Sequence, residues 1–181
     1  MPENVKESKL VEKYRGTTVC FTGHRYQTLP FGFNELDQRC LKMKSMLKNK
    51  IEELIVNNHV ECFISGMAIG VDMICAEIVI DLRKKYPHIT LECAIPCESQ
   101  PNKWIDTMKK RYFKVLEECD KKTLLQEKYT FDCMHKRNAY MVDNSDIVIA
   151  VWNGSNSGTS HTVNYAKQKR RRIFILNPNN L

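Results

Sequence analysis

Two glycine-containing segments of the sequence have the composition of anion-binding turns. Residues 65–72 (SGMAIGVD) and 153–160 (NGSNSGTS) each follow an apolar run and lead into a stretch with helical spacing. Free amides at a helix N-terminus and the helix dipole attract anions, and glycine lets a ligand approach the backbone. The spacing differs from G-x-G-x-x-G and from a P-loop, so the segments predict phosphate binding without a standard motif. The predicted ligand contacts in them are Ser65, Gly66, Met67, Gly70, Asp72, Asn153, Gly154, Ser157, Gly158, Thr159 and Ser160.

Each segment also has an interpretation that needs no ligand. Asp72 fits the first turn of a helix, where a carboxylate caps the helix or offsets its dipole. Residues 153–160 fit a flexible surface loop. The apolar run before that loop (IVIAVW) and the repetition of the pattern favour binding there. For Asp72 the two interpretations stay open.

Two arginines could neutralise a bound phosphate, Arg25 in the first turn and Arg137 if its helix faces the cleft. Arg25 ends the sequence Thr22-Gly23-His24-Arg25, and Arg137 precedes Asn138 within a stretch of helical spacing. A guanidinium group binds phosphate or carboxylate through two parallel hydrogen bonds. The alternative for either arginine is a solvated side chain. The predicted contacts therefore also include Thr22, Gly23, His24, Arg25, Arg137 and Asn138.

A third turn carries polar and aromatic residues that could cover a nucleobase. It begins at Pro96 and continues through Gln100 to Trp104. A tryptophan at the start of an amphipathic helix also fits a packing role. Pro96, Gln100 and Trp104 complete the predicted ligand contacts, and no metal site or cofactor is predicted.

The elements that must position these residues alternate between strand-length apolar runs and helical stretches. This alternation predicts an α/β fold with a doubly wound, mainly parallel sheet of about five to six strands and helices on both faces. Ligands of such sheets bind where the strands end, so all the turns above should meet at one edge. Strands are predicted at residues 18–22, 60–65, 89–95, 123–126, 147–152 and 172–176. Helices are predicted at residues 34–57, 71–85, 101–119, 132–144 and 159–169, with Leu36 on the buried face of the first.

Composition limits the class of protein. The 181 residues divide into an arm at 1–16 and a single domain at 17–181. Residues 1–16 lack the apolar core of a secretory signal, and no apolar run is long enough to span a bilayer, so a cytoplasmic protein without membrane contact is expected. The eight cysteines are scattered along predicted strands and helices, which indicates reduced thiols. The net charge of +7 includes a basic run at 167–172, which fits a solvated helix end better than a nucleic-acid patch.

Five ordered motifs together resemble the YpsA-like branch of the SLOG superfamily. They are T-G-H-R at 22–25, S-G-M-A-x-G-x-D at 65–72, the segment 96–104, R-N-x-x-M-V-D-x-S-D at 137–146, and the loop at 154–159. That superfamily includes DprA-like proteins and LOG-type phosphoribohydrolases. The resemblance spans residues 18–178 and implies a Rossmann-like fold that binds nucleotides, nucleotide-derived signals or nucleic acid. Its members range from hydrolases to sensors, so the resemblance leaves the activity open.

The sequence departs from the LOG-type pattern where those enzymes place charged residues. Asn138 stands in place of a lysine, and His161 and Thr162 stand where carboxylates are expected. Hydrolysis of an N-glycosidic bond needs a carboxylate to stabilise the sugar cation or activate water. The replacement candidates for catalysis are Asp72, Glu98, Asp143 and, as a base, His161.

Three hypotheses follow. The first is a sensing or sequestering module that binds a nucleotide or nucleotide-derived phosphate at the carboxyl edge of the sheet. The second is a LOG-like N-glycosidic hydrolase acting on a nucleotide. The third, less favoured, is DprA-like binding of nucleic acid. A homo-oligomer is possible in each case, because the long first helix offers a face for association.

Overall fold

The computed structural model describes residues 17–181 and contains a parallel sheet of six strands with five α-helices. The predicted arm at 1–16 lies outside the described residues. The strands are β1 (Thr17–Gly23), β2 (Val60–Ser65), β3 (Thr90–Ile95), β4 (Lys121–Leu124), β5 (Ile147–Val151) and β6 (Arg172–Leu176). The helices are α1 (Gln38–Asn58), α2 (Val71–Arg83), α3 (Asp106–Glu118), α4 (Cys133–Asp143) and α5 (Gly158–Gln168). Short 3-10 helices at Tyr26–Thr28 and Pro178–Asn180 complete the fold.

The sheet order is β4-β3-β2-β1-β5-β6, with every neighbouring pair parallel. The chain builds outward from β1 to β4 on one side and then crosses to β5 and β6 on the other. The direction of winding therefore reverses between β1 and β5. In open α/β sheets the crevice beyond the strand ends at such a reversal is where ligands bind.

Alternating side chains of the central strands bury two separate cores. Val19 and Phe21 of β1 face the larger core, which α1, α2 and α3 cover. Cys20 faces the smaller one, which α4 and α5 cover. Because β1 is buried on both faces, it has the uninterrupted apolar character expected of a central parallel strand. The predicted α/β fold with helices on both faces is confirmed.

Two helix starts differ from the sequence prediction. The predicted helix at 101–119 begins only at Asp106, since residues 101–104 form a turn in which the Trp104 amide donates to the Pro101 carbonyl at 3.0 Å. The first helix begins at Gln38, because the Asp37 carboxylate caps it by accepting from the Arg39 amide at 2.8 Å. The predicted burial of Leu36 is wrong: it precedes the cap and is 82% exposed.

A charged network fixes the segment that follows β1. Arg111 of α3 donates to the carboxylates of Glu35 and Glu77, and Glu35 also accepts from Lys44 and from the Tyr26 hydroxyl at 2.5 Å each. Burial would raise the pKa of Glu35, but the hydrogen bonds from Arg111, Lys44 and Tyr26 outweigh it and lower the pKa to about 2. The network therefore joins the 3-10 helix after β1 to α1, α2 and α3.

Cysteines and helix composition add two observations. All eight cysteines are free thiols, six of them buried and two half-buried. Between residues 17 and 181, none of the helices combines the length and apolar character required to cross a membrane.

Candidate functional site

A cavity of about 350 Å³ lies beyond the ends of β1 and β5, where the winding of the sheet reverses. We call it the switch-point cleft. Turns that are distant in sequence meet there because their strands are parallel and end at the same edge. Ten of the predicted ligand residues line it: Thr22, Gly23, His24, Arg25, Asp72, Arg137, Asn138, Ser157, Gly158 and Thr159.

The N-terminus of α5 presents amide groups to this cleft. Ser157 caps the helix, and its hydroxyl accepts from the Ser160 amide at 3.3 Å while the Ser160 hydroxyl accepts from the Ser157 amide at 2.9 Å. This capping box leaves the amides of Gly158 and Thr159 without an acceptor among residues 17–181. Unpaired first-turn amides with the positive end of the helix dipole form an anion site.

His24 closes the side of the cleft next to β5. Its Nε2 lies 2.9 Å from Asn153 Oδ1, and that oxygen also accepts from the Ser155 amide at 3.0 Å. The Asn153 backbone amide also donates to His24 Nε2 at 3.2 Å, so both the backbone and the side chain of Asn153 contact this ring nitrogen. Burial lowers the pKa of His24, opposed by the bond to Asn153. His24 is therefore a neutral side chain that fixes the glycine loop to the end of β1.

Gly70 lets the second turn approach the first. It has φ 104°, and a Cβ built there would lie 2.6 Å from the His24 carbonyl oxygen. The Val71 amide donates to that same carbonyl at 3.3 Å. Only glycine adopts this backbone geometry without strain, so Gly70 brings the start of α2 against Arg25.

Asp72 and Arg137 form a buried ion pair in the wall of the cleft. Arg137 Nη1 lies 4.0 Å from Asp72 Oδ2, and Arg137 also donates to the Gly66 carbonyl and, at 2.7 Å, to Asn138 Oδ1. Burial raises the pKa of Asp72, opposed by Arg137, and burial lowers the pKa of Arg137, opposed by Asp72. Because these bonds hold its guanidinium, Arg137 braces the wall rather than projecting into the cleft.

Arg25 differs from Arg137 in exposure and in hydrogen bonding. It is exposed, and its guanidinium makes no hydrogen bond or ion pair with any residue between 17 and 181. It lines the switch-point cleft and also a second, larger cavity of about 670 Å³, which we call the side cavity. Among the described residues Arg25 is thus a cation without a partner, and it lies between the two cavities.

The side cavity contains the third predicted turn. Gln100 and Trp104 line it, together with Phe33, Ile69 and Met108. Trp104 packs edge-to-face against Tyr112, with ring centroids 5.4 Å apart. Sequence reasoning missed Phe33, Ile69 and Met108, because their positions show no pattern other than that of packing residues.

Several predicted contacts lie behind the cleft and support it. The Ser65 hydroxyl accepts from the Met67 amide at 3.2 Å and donates to the Asp72 carbonyl at 2.8 Å. Met67, with φ 57°, is fully buried, and Pro96 is buried as well. Gly154 is exposed with open space around it. These residues shape the turns rather than lining either cavity.

Of the four catalytic candidates, Asp72 lines the cleft and the other three do not. Glu98 is exposed in the turn after β3. Asp143 lies at the C-terminal end of α4, where it pairs with Lys169 at 3.1 Å and accepts from the Tyr165 hydroxyl. His161 lies in an outer groove between α4 and α5, against the ring of His135.

Four residues that sequence reasoning did not single out also line the cleft. Gln27 and Thr28 belong to the 3-10 helix after β1, Ala68 to the second turn, and Met134 to the start of α4. A three-residue 3-10 helix has no periodicity to detect, so only its position after T-G-H-R could have indicated Gln27 and Thr28.

The chain is similar to a known protein family over nearly all of the described residues. The family model YpsA, described as the YspA SLOG family, matches residues 19–181. The chain belongs to the YpsA family of SLOG proteins. The SPbeta prophage-derived protein YoqJ of Bacillus subtilis is 39% identical over 140 residues, which cover 71% of this chain and 82% of YoqJ. YpsA of the same organism is 25% identical over 149 residues, which cover 81% of this chain and 82% of YpsA.

The fold of this YpsA family member is also similar to a solved structure. DNA processing protein A of Helicobacter pylori, described with a single-stranded DNA binding mode, superposes with a TM-score of 0.59 at 18% identity. The match covers 89% of this chain and 65% of that protein. The predicted resemblance to the YpsA-like branch and to DprA-like proteins is confirmed.

Proposed function

We propose that the switch-point cleft binds the phosphate group of a nucleotide or nucleotide-derived small molecule, and that the protein acts as a sensing or sequestering module. The observation that carries the proposal is that Gly158 and Thr159 line the same cavity as Arg25. Neither their amides nor the guanidinium of Arg25 has a partner among residues 17–181. A phosphate there would accept from helix amides and from arginine together, and both are donors well suited to this group.

The surroundings of Asp72 favour binding over hydrolysis. A catalytic carboxylate must reach the reacting sugar or a water beside it. Asp72 is buried, faces Arg137 and accepts from the Ala68 amide at 3.5 Å, so its partners are within the protein. Glu98, Asp143 and His161 do not line the cleft. We therefore expect a bound nucleotide to stay intact.

Arg25→Ala tests the phosphate site directly. We expect it to weaken binding of nucleoside monophosphates about tenfold or more, because a charge-assisted hydrogen bond contributes about 1.5–3 kcal/mol. The exposure of Arg25 predicts unchanged stability. The measurement is a thermal-shift titration against nucleoside phosphates and ADP-ribose, with chromatography of each mixture to detect a released base.

Arg172→Ala is the matched control. Arg172 is also exposed but begins β6, at the opposite edge of the sheet. The Arg172→Ala variant should bind nucleoside monophosphates with the affinity of the wild type. If the Arg25→Ala variant and the wild type bind nucleoside monophosphates with equal affinity, the proposed phosphate site is wrong. If a free base is released, the protein hydrolyses the nucleotide and does not only sense it.

Single-stranded DNA is a second candidate ligand. Its support is the similarity of fold to a single-stranded DNA-binding protein, together with the net charge of +7. Affinity for an oligonucleotide should then fall steeply with salt. Substituting Lys167 and Arg172 by alanine should lower it if the basic run at 167–172 is the contact, whereas small-nucleotide binding should not change.

A further inference from the structure

The walls of the side cavity suit a flat apolar group. Phe33, Ile69, Trp104, Ile105 and Met108 form much of its lining. Phe33 is 51% exposed and Ile105 63%, although both are large apolar side chains. Exposed apolar residues that surround one cavity are characteristic of ligand sites.

Gln100 adds an unpaired polar atom to this apolar lining. Only 8% of the residue is exposed, and its Nε2 donates to the Gly66 carbonyl at 3.2 Å. Its Oε1 is buried and accepts no hydrogen bond from any residue between 17 and 181. A buried carbonyl oxygen without a donor is uncommon and unfavourable, so a water molecule or a ligand is needed to supply the donor.

The side cavity and the switch-point cleft share three lining residues. Arg25, Gln27 and Met134 line both the switch-point cleft and the side cavity. A ligand whose phosphate lies against Gly158 and Thr159 can therefore extend past Arg25 into the side cavity. The extending part must be flat and apolar on its faces and must carry an N–H group at its edge to satisfy Gln100 Oε1.

A nucleobase has this combination of properties. We propose that the side cavity is a base subsite, in which Trp104 contacts the base and Gln100 determines specificity by accepting from an N–H group of its edge. This proposal rests on the phosphate site proposed above and deepens it: the ligand class is a nucleotide with a hydrogen-bond donor on its base. A site built to pair such a donor discriminates against analogues that lack it.

Affinities of the wild-type protein for different phosphate esters distinguish the phosphate site from the base subsite. The probes are ribose 5-phosphate, the four common nucleoside monophosphates, and purine riboside 5′-monophosphate, which is AMP without its amino group. We expect at least one nucleoside monophosphate to bind roughly tenfold more tightly than ribose 5-phosphate. If AMP is the one preferred, the loss of its amino group should weaken binding about fivefold to tenfold, the effect of one hydrogen bond.

Gln100→Met tests the residue, because methionine keeps the length of the side chain and removes the oxygen. It also removes the Nε2 donor, but the Gly66 carbonyl still accepts from Arg137. Affinity for the preferred nucleotide should fall about fivefold to tenfold, while affinity for ribose 5-phosphate stays the same. Gln168→Met, an exposed substitution at the end of α5, is the matched control and should change neither affinity. Trp104→Leu should likewise weaken the nucleotide selectively, which covers the case in which Gln100→Met does not fold.

The outcomes distinguish the two proposals. If ribose 5-phosphate binds as tightly as every nucleoside monophosphate, the base subsite is overturned and the phosphate site stands. Equal nucleotide affinity in the wild type, Gln100→Met and Trp104→Leu overturns the base subsite in the same way. If no phosphate ester binds, the phosphate site fails, and the base subsite fails with it.

Discussion

At the scale of single residues, two arginines that look equivalent in the sequence have different roles. Arg25 follows the glycine turn after β1 and is exposed without a partner in the described chain, whereas Arg137 lies within α4 and is buried against Asp72 and Gly66. The sequence made both arginines candidate phosphate contacts, Arg137 on the condition that its helix faces the cleft, and could not show which guanidinium lacks a partner among residues 17–181. The difference depends on burial, and burial depends on how α4 packs on the sheet.

Gly70→Ala should be among the most damaging single substitutions near the cleft. A Cβ at this position, with φ 104°, would collide with backbone atoms of His24 and Arg25. We expect a loss of at least about 2 kcal/mol in the free energy of unfolding, from strain and overpacking together. Urea denaturation measures it.

Gly158→Ala provides the comparison for that measurement. A Cβ added at Gly158 would meet nothing within 4 Å, and this glycine does not have a positive φ. The free energy of unfolding of the variant should stay within about 0.5 kcal/mol of the wild type. A comparable loss in both variants would contradict the assignment of Gly70 as a close-approach position.

At the scale of elements, the start of α5 combines a structural role with the binding role proposed for it. Ser157→Ala removes one half of the capping box and should cost about 1 kcal/mol of stability. It should also weaken phosphate binding, because the cap orients the Gly158 and Thr159 amides. Thermal denaturation and ligand titration of the same sample measure the two effects.

Asp37→Ala is the control for that substitution. Asp37 caps α1 and does not line the cleft. Its substitution should therefore lower the free energy of unfolding by about as much as Ser157→Ala does. Phosphate affinity should remain that of the wild type. If both cap variants lose affinity equally, the effect arises from general destabilisation and not from the amides of α5.

The elements themselves were largely predictable from the sequence. Apolar runs such as IVIAV identify a strand buried on both faces, and the alternation with helices determines the parallel topology. Helix starts were less predictable, because the periodicity does not show that Asp37 caps α1 or that residues 101–104 turn before α3 begins. The side cavity was the least predictable part, since Phe33, Ile69 and Met108 come together only through tertiary packing.

At the scale of the whole molecule, the network around Arg111 joins the segment after β1 to three helices. The same segment carries Arg25, so the network holds the proposed ligand-binding arginine in place from a distance. No sequence pattern indicates this network, because its members are separated by up to 85 positions.

The network should make the free energy of unfolding depend on pH in the acidic range. The pKa of Glu35 is lowered in the folded state to about 2, so its stabilising effect is present above its ordinary pKa of 4.5. The effect is lost as pH falls from about 4.5 toward 2. Glu35→Gln should be about 2 kcal/mol less stable than the wild type at neutral pH, a value that allows for solvent screening of the half-buried carboxylate. The difference should shrink in this pH window.

Urea denaturation at pH values of about 7, 4.5 and 3.5 measures that difference, because the two lower values lie within the titration range of the carboxylate. Glu61→Gln, an exposed substitution on β2, should unfold like the wild type at each pH. A difference between Glu35→Gln and the wild type that does not vary with pH would mean that the charge of Glu35 is not what stabilises the network.

The position of β1 between β2 and β5 also has a consequence for synthesis of the chain on the ribosome. One edge of β1 pairs with β5, so this edge stays unpaired until β5 emerges. The amides of Gly158 and Thr159 emerge later still. A nucleotide that binds these amides as proposed would therefore bind only after translation has passed α5, and it would stabilise the finished fold without guiding its early steps.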